Sequence, residues 1–272
     1  QITSVAVGNP DLDPEFADTI VFGLVYQPSF VDGLQLSADW YEVDVQDAIN
    51  QLGLQRVVNE CFAGGPSSEF CQYVERDDNG IIGRVFNPFY NIASQFVQGV
   101  DVEVAYRIEP DFFAGDAESF SVRALYGHIA ERSNIATAGA APIETTGAVG
   151  TPANTATITT NYALGPVSFQ LQGRWIDSVS LTRIGGSGAL AISGIDFDDA
   201  TVSSNAWFNG QIAYNGETSN GANYQVSFNV QNLFDRNPPV IASFGSRGGS
   251  QTVSDAYDAE GRRYQLNVNY SF

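Results

Sequence analysis

A single histidine, His128, is the whole imidazole inventory of this 272-residue chain, so any Ser/His/Asp or Cys/His nucleophile would have to be built on it. Its neighbours Gly127 and Ile129 place it at the end of a strand-like run, where a rim side chain is a better reading than a general base. Cys61 and Cys71 lie ten positions apart in a stretch rich in Gly, Ser, Asn and Asp. A metal centre would need further thiols or histidines. A loop-closing disulfide formed in an oxidising compartment is therefore expected, the alternative being two reduced thiols that merely fall close together. Gly185-Gly186-Ser187-Gly188 and the run from Gly245 to Gly249 lack the strand-loop-helix setting and the lysine of a phosphate loop, and read as loop tips. Asp196, Asp198 and Asp199, like Asp77 and Asp78, offer carboxylate oxygens for Ca²⁺ but without the spacing of a calcium loop, so they read as solvated charge. No enzyme, metal centre or cofactor is expected.

Charge excludes another class. Acids outnumber bases 31 to 12, for a net charge of -19, and nothing here would neutralise the phosphates of a nucleic acid. Charged residues make up only 16% of the chain, well under the usual quarter of a soluble domain. No apolar run approaches the roughly 20 residues of a membrane-spanning helix, and positions 1–20 lack a basic segment followed by an apolar core. The opening Gln1-Ile2-Thr3-Ser4-Val5 reads as the interior of a processed or excised chain.

The periodicity that must position these groups is two. Tyr264, Leu266, Val268, Tyr270 and Phe272 alternate with Gln265, Asn267, Asn269 and Ser271. Val167, Phe169, Leu171 and Trp175 oppose Ser168, Gln170, Gln172 and Arg174. Tyr224, Val226, Phe228 and Val230 oppose Gln225, Ser227, Asn229 and Gln231, and Val100, Val102 and Val104 alternate with Asp101 and Glu103. About nine such strands are expected, near 15–28, 33–49, 92–109, 117–132, 154–164, 167–178, 203–215, 222–234 and 258–272. In the second, apolar parity moves from Leu34 and Leu36 to Tyr41, Val43 and Val45, which predicts a bulge or a face change near a rim.

Connections alternate in length: 28–33, 110–116, 165–166 and 216–221 are short, whereas 50–91, 133–153, 179–202 and 235–257 are long and polar. All short turns then fall on one side, as in an outer-membrane β-barrel with short periplasmic turns and long extracellular loops. A soluble β-sandwich or solenoid fits less well, because long strands with one-sided loops are not its habit. Tyr162, Tyr214, Tyr224, Tyr270 and Phe272 would form the lower aromatic girdle and Trp175 part of the upper one.

Four segments, in order, resemble the C-terminal barrel part of TonB-dependent receptors. Asn9-Pro10-Asp11-Leu12-Asp13-Pro14-Glu15 is similar to their "NPxLxPE" segment. The run from Asp39 to Ile49 resembles "DYYxIxIxDAI", and Gln98-Gly99-Val100-Asp101-Val102-Glu103 resembles "xGxExE". Asn232-Leu233-Phe234-Asp235, Tyr257-Asp258 and Gly261-Arg262-Arg263-Tyr264 resemble the closing "NLFD … YD … GRxY" hairpin. The resemblance implies TonB-dependent uptake of a scarce nutrient across the Gram-negative outer membrane, through a plugged, multi-pass barrel of about 22 strands. This chain would supply the last nine strands. A plug domain and a TonB-contacting segment would then lie outside it, and the barrel-assembly machinery would recognise the terminal Phe272. A passive porin or a surface adhesin barrel is the alternative.

Under that reading substrate contact falls to the long loops and the upper wall of the lumen. Arg84, Phe86, Phe89 and Tyr90 lie in the 50–91 segment beside the cysteine pair, Arg183 lies in 179–202, and Trp207 shares the lumen parity of Asn209 and Gln211. Aromatic faces beside amides and carboxylates suit a sugar or another polar organic solute, and the acidic balance disfavours an anionic chelate. Each of these aromatics also has a plainer reading, as loop packing.

Overall fold

A computed structural model of the protein describes residues 2–113, 117–135, 141–180, 201–239, 257–258 and 260–271. Its strands are β1 Thr3–Val7, β2 Phe16–Tyr26, β3 Leu34–Gln51, β4 Val74–Arg76, β5 Ile82–Ile108, β6 Glu118–Ile135, β7 Ile143–Glu144, β8 Asn154–Leu164, β9 Val167–Ile176, β10 Val179–Ser180, β11 Thr201–Val202, β12 Asn205–Glu217, β13 Asn223–Gln231 and β14 Arg263–Ser271. One helix, α1 Leu54–Gly64, is followed by two short 3₁₀ turns. The main sheet runs β14-β13-β12-β9-β8-β6-β5-β3-β2, so the long strands meander as sequence neighbours. The nine expected strands are these nine long ones. Two compact units divide the chain: Gln1–Ile20, Glu42–Val97 and Arg132–Glu144 form the first, and Val21–Tyr41, Gln98–Glu131 and Thr145–Phe272 the second.

In the second unit the register turns sequence alternation into rows that cross the sheet. Phe120, Tyr162, Phe169, Ile212, Phe228 and Leu266 are successive direct partners, one per strand from β6 to β14. The neighbouring row is Ser121, Asn161, Gln170, Gln211, Asn229 and Gln265. Consecutive residues of a strand face opposite sides, so one side of the sheet is hydrocarbon and the other amide. Leu266 is 67% exposed and Phe169 46%, values that make sense only against lipid. Tyr224 pairs with Tyr270, and the Tyr214 and Tyr224 rings lie 6.2 Å apart, which gathers the expected lower aromatics at one edge. Phe272 lies outside the described residues.

Turns close the short side. Gly165 (φ 51) and Pro166 join Leu164 to its partner Val167. Gly33 has φ 78, and a Cβ there would sit 1.8 Å from the Arg107 carbonyl oxygen, so only glycine fits where the β2–β3 turn meets β5. At the far end of β13, Asn232 is fully buried with φ 51. Its side chain accepts from the Arg236 N–H (2.8 Å) and donates to the Arg236 carbonyl (2.9 Å), while its own N–H donates to Asn209 Oδ1 (3.0 Å). Asp235, also at positive φ, accepts from the Arg262 N–H at 3.0 Å. These bonds account for the Asn-Leu-Phe-Asp signature as a knot of backbone–side-chain bonds around two left-handed residues.

The parity change in β3 is a face change in the stretch from Asp39 to Tyr41. Trp40 stacks on Phe22 (centroids 5.7 Å), whereas Tyr41 lies on the side of Gly99, whose added Cβ would meet its hydroxyl. Adjacent residues thus keep opposite faces, as in an unbulged strand.

The first unit departs most from expectation. The 50–91 segment, read as polar loop, contains α1, both 3₁₀ turns, β4 and the start of β5, which begins at Ile82 and not near 92. Pro88 reads as a break within a strand run. It is tolerated because it is the last residue that β5 pairs with β1, opposite Val7. That pairing is parallel and was not expected in a meander. Cys61 and Cys71 form a disulfide that ties α1 to the second 3₁₀ turn, Glu69–Tyr73, and Val57 and Val85 are fully buried apolar side chains of the unit.

Two substitutions test the faces and the knot. Val268→Arg should abolish or sharply reduce the heat-modifiable barrel, because a charge on the lipid side costs roughly 2 to 4 kcal/mol, whereas Asn267→Arg should leave the yield intact. Asn232→Ala should lower stability by about 1 to 3 kcal/mol through the two lost side-chain bonds to Arg236 and a left-handed residue without its side-chain support, read as the unfolding midpoint in denaturant.

Candidate functional site

The polar side of the second unit presents one row of hydrogen-bonding groups after another. Its floor is a ladder of amides: Gln170 Nε2 donates to Asn161 Oδ1 (2.9 Å), Gln211 Nε2 to Asn229 Oδ1 (2.6 Å), and Gln225 Nε2 to Asn215 Oδ1 (2.8 Å). Such groups exchange hydrogen bonds readily with hydroxyls and amides and carry no charge to trap them. Toward the other end of β12, the Arg174 guanidinium lies 5.3 Å from the Trp207 ring centroid, across the strand pair that places the two residues opposite each other. Trp207 is largely buried, so part of its area serves this stack.

A groove of about 460 Å³ opens where β3, β5, β6 and β8 lie side by side, lined by Asp39, Asp101, Glu103, Thr155 and Thr157 among others. Small residues make the room. An added Cβ on Gly23 would sit 2.3 Å from Asp39 Oδ1, and one on Gly127 would crowd Asp101 Oδ1 at 3.1 Å. Glu103 is held by Arg123 in a two-pronged pair, Nε to Oε1 at 2.7 Å and Nη2 to Oε2 at 2.8 Å. That leaves Asp39 and Asp101 to set the sign of the groove as negative. The sequence carries these acids on its polar parity, but nothing in one strand reveals that two strands bring them together.

In the first unit the four candidates of the 50–91 segment all fall on β5. Arg84 pairs with Glu75 across the β4–β5 hairpin at 3.2 Å, with about half of each side chain exposed. Tyr90 donates to the Tyr73 hydroxyl at 3.4 Å and its ring lies 6.3 Å from Phe70. Phe86 is partly buried opposite Val5 of β1. Phe89 is partly buried too, and its carbonyl accepts from Asn9 Nδ2 at 3.0 Å. Arg84 and Tyr90 therefore have structural partners. Trp207 belongs to the second unit, and Arg183 lies outside the described residues, as do the 185–188 and 245–249 glycine runs and Asp196, Asp198 and Asp199. The Asp77 carboxylate accepts from the N–H groups of Asn79 and Ile81, which makes it a turn residue of the β4–β5 hairpin.

On the opposite, apolar side of the second unit, His128 sits in a rim network. Asn154 Oδ1 accepts from the Tyr126 hydroxyl (2.6 Å) and lies 2.8 Å from His128 Nδ1, while Asn154 Nδ2 donates to Asp177 Oδ2 (2.6 Å). With Asn154 oriented this way, Nδ1 is the protonated ring nitrogen of His128. The hydrogen bond from Asn154, then those from Ser178, hold the Asp177 carboxyl below the ordinary carboxylate range.

Residues 1–233 match the family model "TonB dependent receptor-like, beta-barrel". A search of the curated proteins returns no match. The outer membrane transporter YddB from Escherichia coli is similar in fold, with TM-score 0.61 at 11% identity over 99% of this chain and 34% of its own. The copper transporter OprC gives 0.54 at 19% identity, over 97% and 32%. The ferric-catecholate import receptor Fiu from K12 E. coli gives 0.50 at 18%, over 97% and 29%. The chain thus spans about a third of the length of the solved structures it matches.

The depressed Asp177 carboxyl has a pH consequence. A group with lowered folded pKa contributes stability above its unfolded value, about 3.9, and loses it as pH falls through the folded value. Wild type should therefore outlast Asp177→Asn in thermal unfolding at neutral pH, with the gap closing as pH drops below about 4.

Proposed function

The chain belongs to the TonB-dependent receptor-like β-barrel family of the Gram-negative outer membrane, and from that premise we propose that it forms the C-terminal wall of a transporter for a polar, uncharged or cationic organic solute such as an oligosaccharide or peptide. The observation that carries the proposal is the polar side of the second unit, where an amide ladder, the Arg174–Trp207 stack and the Asp39–Asp101 groove line one continuous face. Sugar and peptide groups exchange hydrogen bonds along such a face and with the Arg174 guanidinium that the Trp207 ring supports, whereas an anionic chelate meets net repulsion from the acids of the groove. A ferric or other metal chelate is the second substrate class, one that the named cargoes of two similar folds put beside the first.

Transport of this kind is active. The TonB energy-coupling complex would act through a plug and a TonB-contacting segment carried by the rest of the receptor, and the remaining strands would complete the barrel that this part leaves open at two edges. The barrel-assembly machinery would engage Phe272. Arg84, Phe86, Phe89, Tyr90 and Arg183 are the candidate outer contacts and Trp207 the inner one. The chemistry is translocation, with no bond made or broken in the solute.

Uptake by cells expressing the complete receptor decides between this and a passive porin. Labelled oligosaccharides, peptides and ferric chelates should be tested for accumulation with and without functional TonB. Accumulation of one class that vanishes without TonB is expected; equal influx in both backgrounds overturns active transport. Trp207→Ala should weaken binding of that solute to the purified receptor about tenfold, by releasing Arg174 from the position its ring fixes.

A further inference from the structure

The lipid-facing side of the second unit is not uniformly covered. Tyr126, Ala156, Trp175 and Ala206 are successive cross-strand partners on β6, β8, β9 and β12, and the row beneath is Ala124, Ile158, Gly173 and Phe208. Large and small residues thus alternate both along and across the rows. Four small residues leave a furrow of about 240 Å³ between the large ones, apolar throughout its lining side chains on this face. Its floor resists filling, since an added Cβ on Gly173 would meet Phe208 at 2.7 Å and Ile158 at 3.2 Å.

Depth is set by the chain itself. Trp175 stands eight residues along β9 from Val167 at the short-turn end, about 27 Å of strand. Tilted by roughly 40°, that length climbs most of a ~25 Å apolar band, so the furrow lies in the outer leaflet. Directly above it on the same face come His128, Asn154 and Asp177, bonded as a cluster with the Tyr126 hydroxyl. A hydrocarbon furrow therefore runs up into a set of hydrogen-bond acceptors.

We infer that this furrow and its polar cap bind one glycolipid of the outer leaflet, with an acyl chain in the furrow and the amide and hydroxyl donors of an N-acylated sugar on Asp177 and His128. Continuity with the membrane-facing surface fixes the occupant as a lipid, because only hydrocarbon reaches an apolar cleft at this depth. The head is chosen by charge. The sequence contains no lysine, and the cap offers the Asp177 carboxylate and the His128 ring, the Asn154 oxygen already accepting from Tyr126 and His128. A phosphate would be repelled there, whereas sugar O–H and N–H groups would donate.

The test uses the complete receptor, reconstituted in phosphatidylethanolamine and phosphatidylglycerol vesicles containing a minor share of lipid A from which both phosphates have been removed, an N-acylated sugar lipid without phosphate, then extracted and washed in mild detergent. Mass spectrometry counts lipid A and phosphatidylglycerol retained per receptor. Wild type should retain lipid A in preference to phosphatidylglycerol. Ala206→Leu, which fills the furrow with an apolar group and should insert normally by heat modifiability, should cut lipid A retention about tenfold, and Asp177→Asn should cut it several-fold with the furrow intact. Wild type that washes free of lipid A, or that retains phosphatidylglycerol equally, overturns the inference even if Ala206→Leu fails to assemble. So does equal retention by wild type and Asp177→Asn.

Discussion

Hydrocarbon offers no hydrogen bond, so every N–H and C=O that crosses it must be paired by the next strand, and that one constraint sets the rest of this structure. Pairing aligns residue with residue, and alternation then sorts each aligned row to one side. The phenylalanine-to-leucine row and the amide row beside it are one register seen from its two faces. A slip of a single residue would exchange them, placing Gln170 and Gln211 in lipid and Phe169 and Ile212 in water. The tight glycine at Gly33 and the bonded turn at Asn232 matter because they stand at opposite ends of strands whose register cannot drift.

The same sorting separates the two kinds of work done by the wall. Side chains that hold the sheet in the membrane point away from those of the polar face, so groups such as Asp39, Asp101 and Trp207 are exempt from the demands of the bilayer. Their constraints are local ones: room beside a glycine, a charge partner across the strand, a stack. Glu103 illustrates the point, since its charge is answered by Arg123 on the neighbouring strand of the same face.

How far the sequence foretold this depends on whether the information was local. Strands β8, β9, β12 and β13 declare themselves by clean alternation, and their expected ends fall within about three residues of the observed ones. The start of β5 was hidden because Asn87 and Pro88 interrupt the pattern, and only pairing with β1, eighty residues away in sequence, explains their place in a strand. Helix α1 was hidden by its glycine-rich, polar surroundings. At the site, single-strand parity marked Asp101, Glu103 and Trp207 as facing the lumen side. Their companions arise from neighbours in space: Arg174 for Trp207, Arg123 for Glu103, and Glu75 and Tyr73 for Arg84 and Tyr90. Asn-Leu-Phe-Asp was legible as a signature, but its physical content, two left-handed residues and their bonds, is a property of the folded backbone.

That knot also governs the segment that follows it. Asp235 holds the N–H of Arg262, and Leu233 N–H reaches the Phe208 carbonyl at 2.6 Å, so the base of the connection between β13 and β14 is clamped on both sides. Once a base is clamped, the chain between becomes a cassette: doubling its length costs only about 0.6 kcal/mol of closure entropy, and none of that cost is transmitted to the register of the last hairpin. Sequence drift in such a cassette is invisible to the membrane. The segment between the clamps is thereby free to change in length and sequence, while the last strand of the sheet keeps its register.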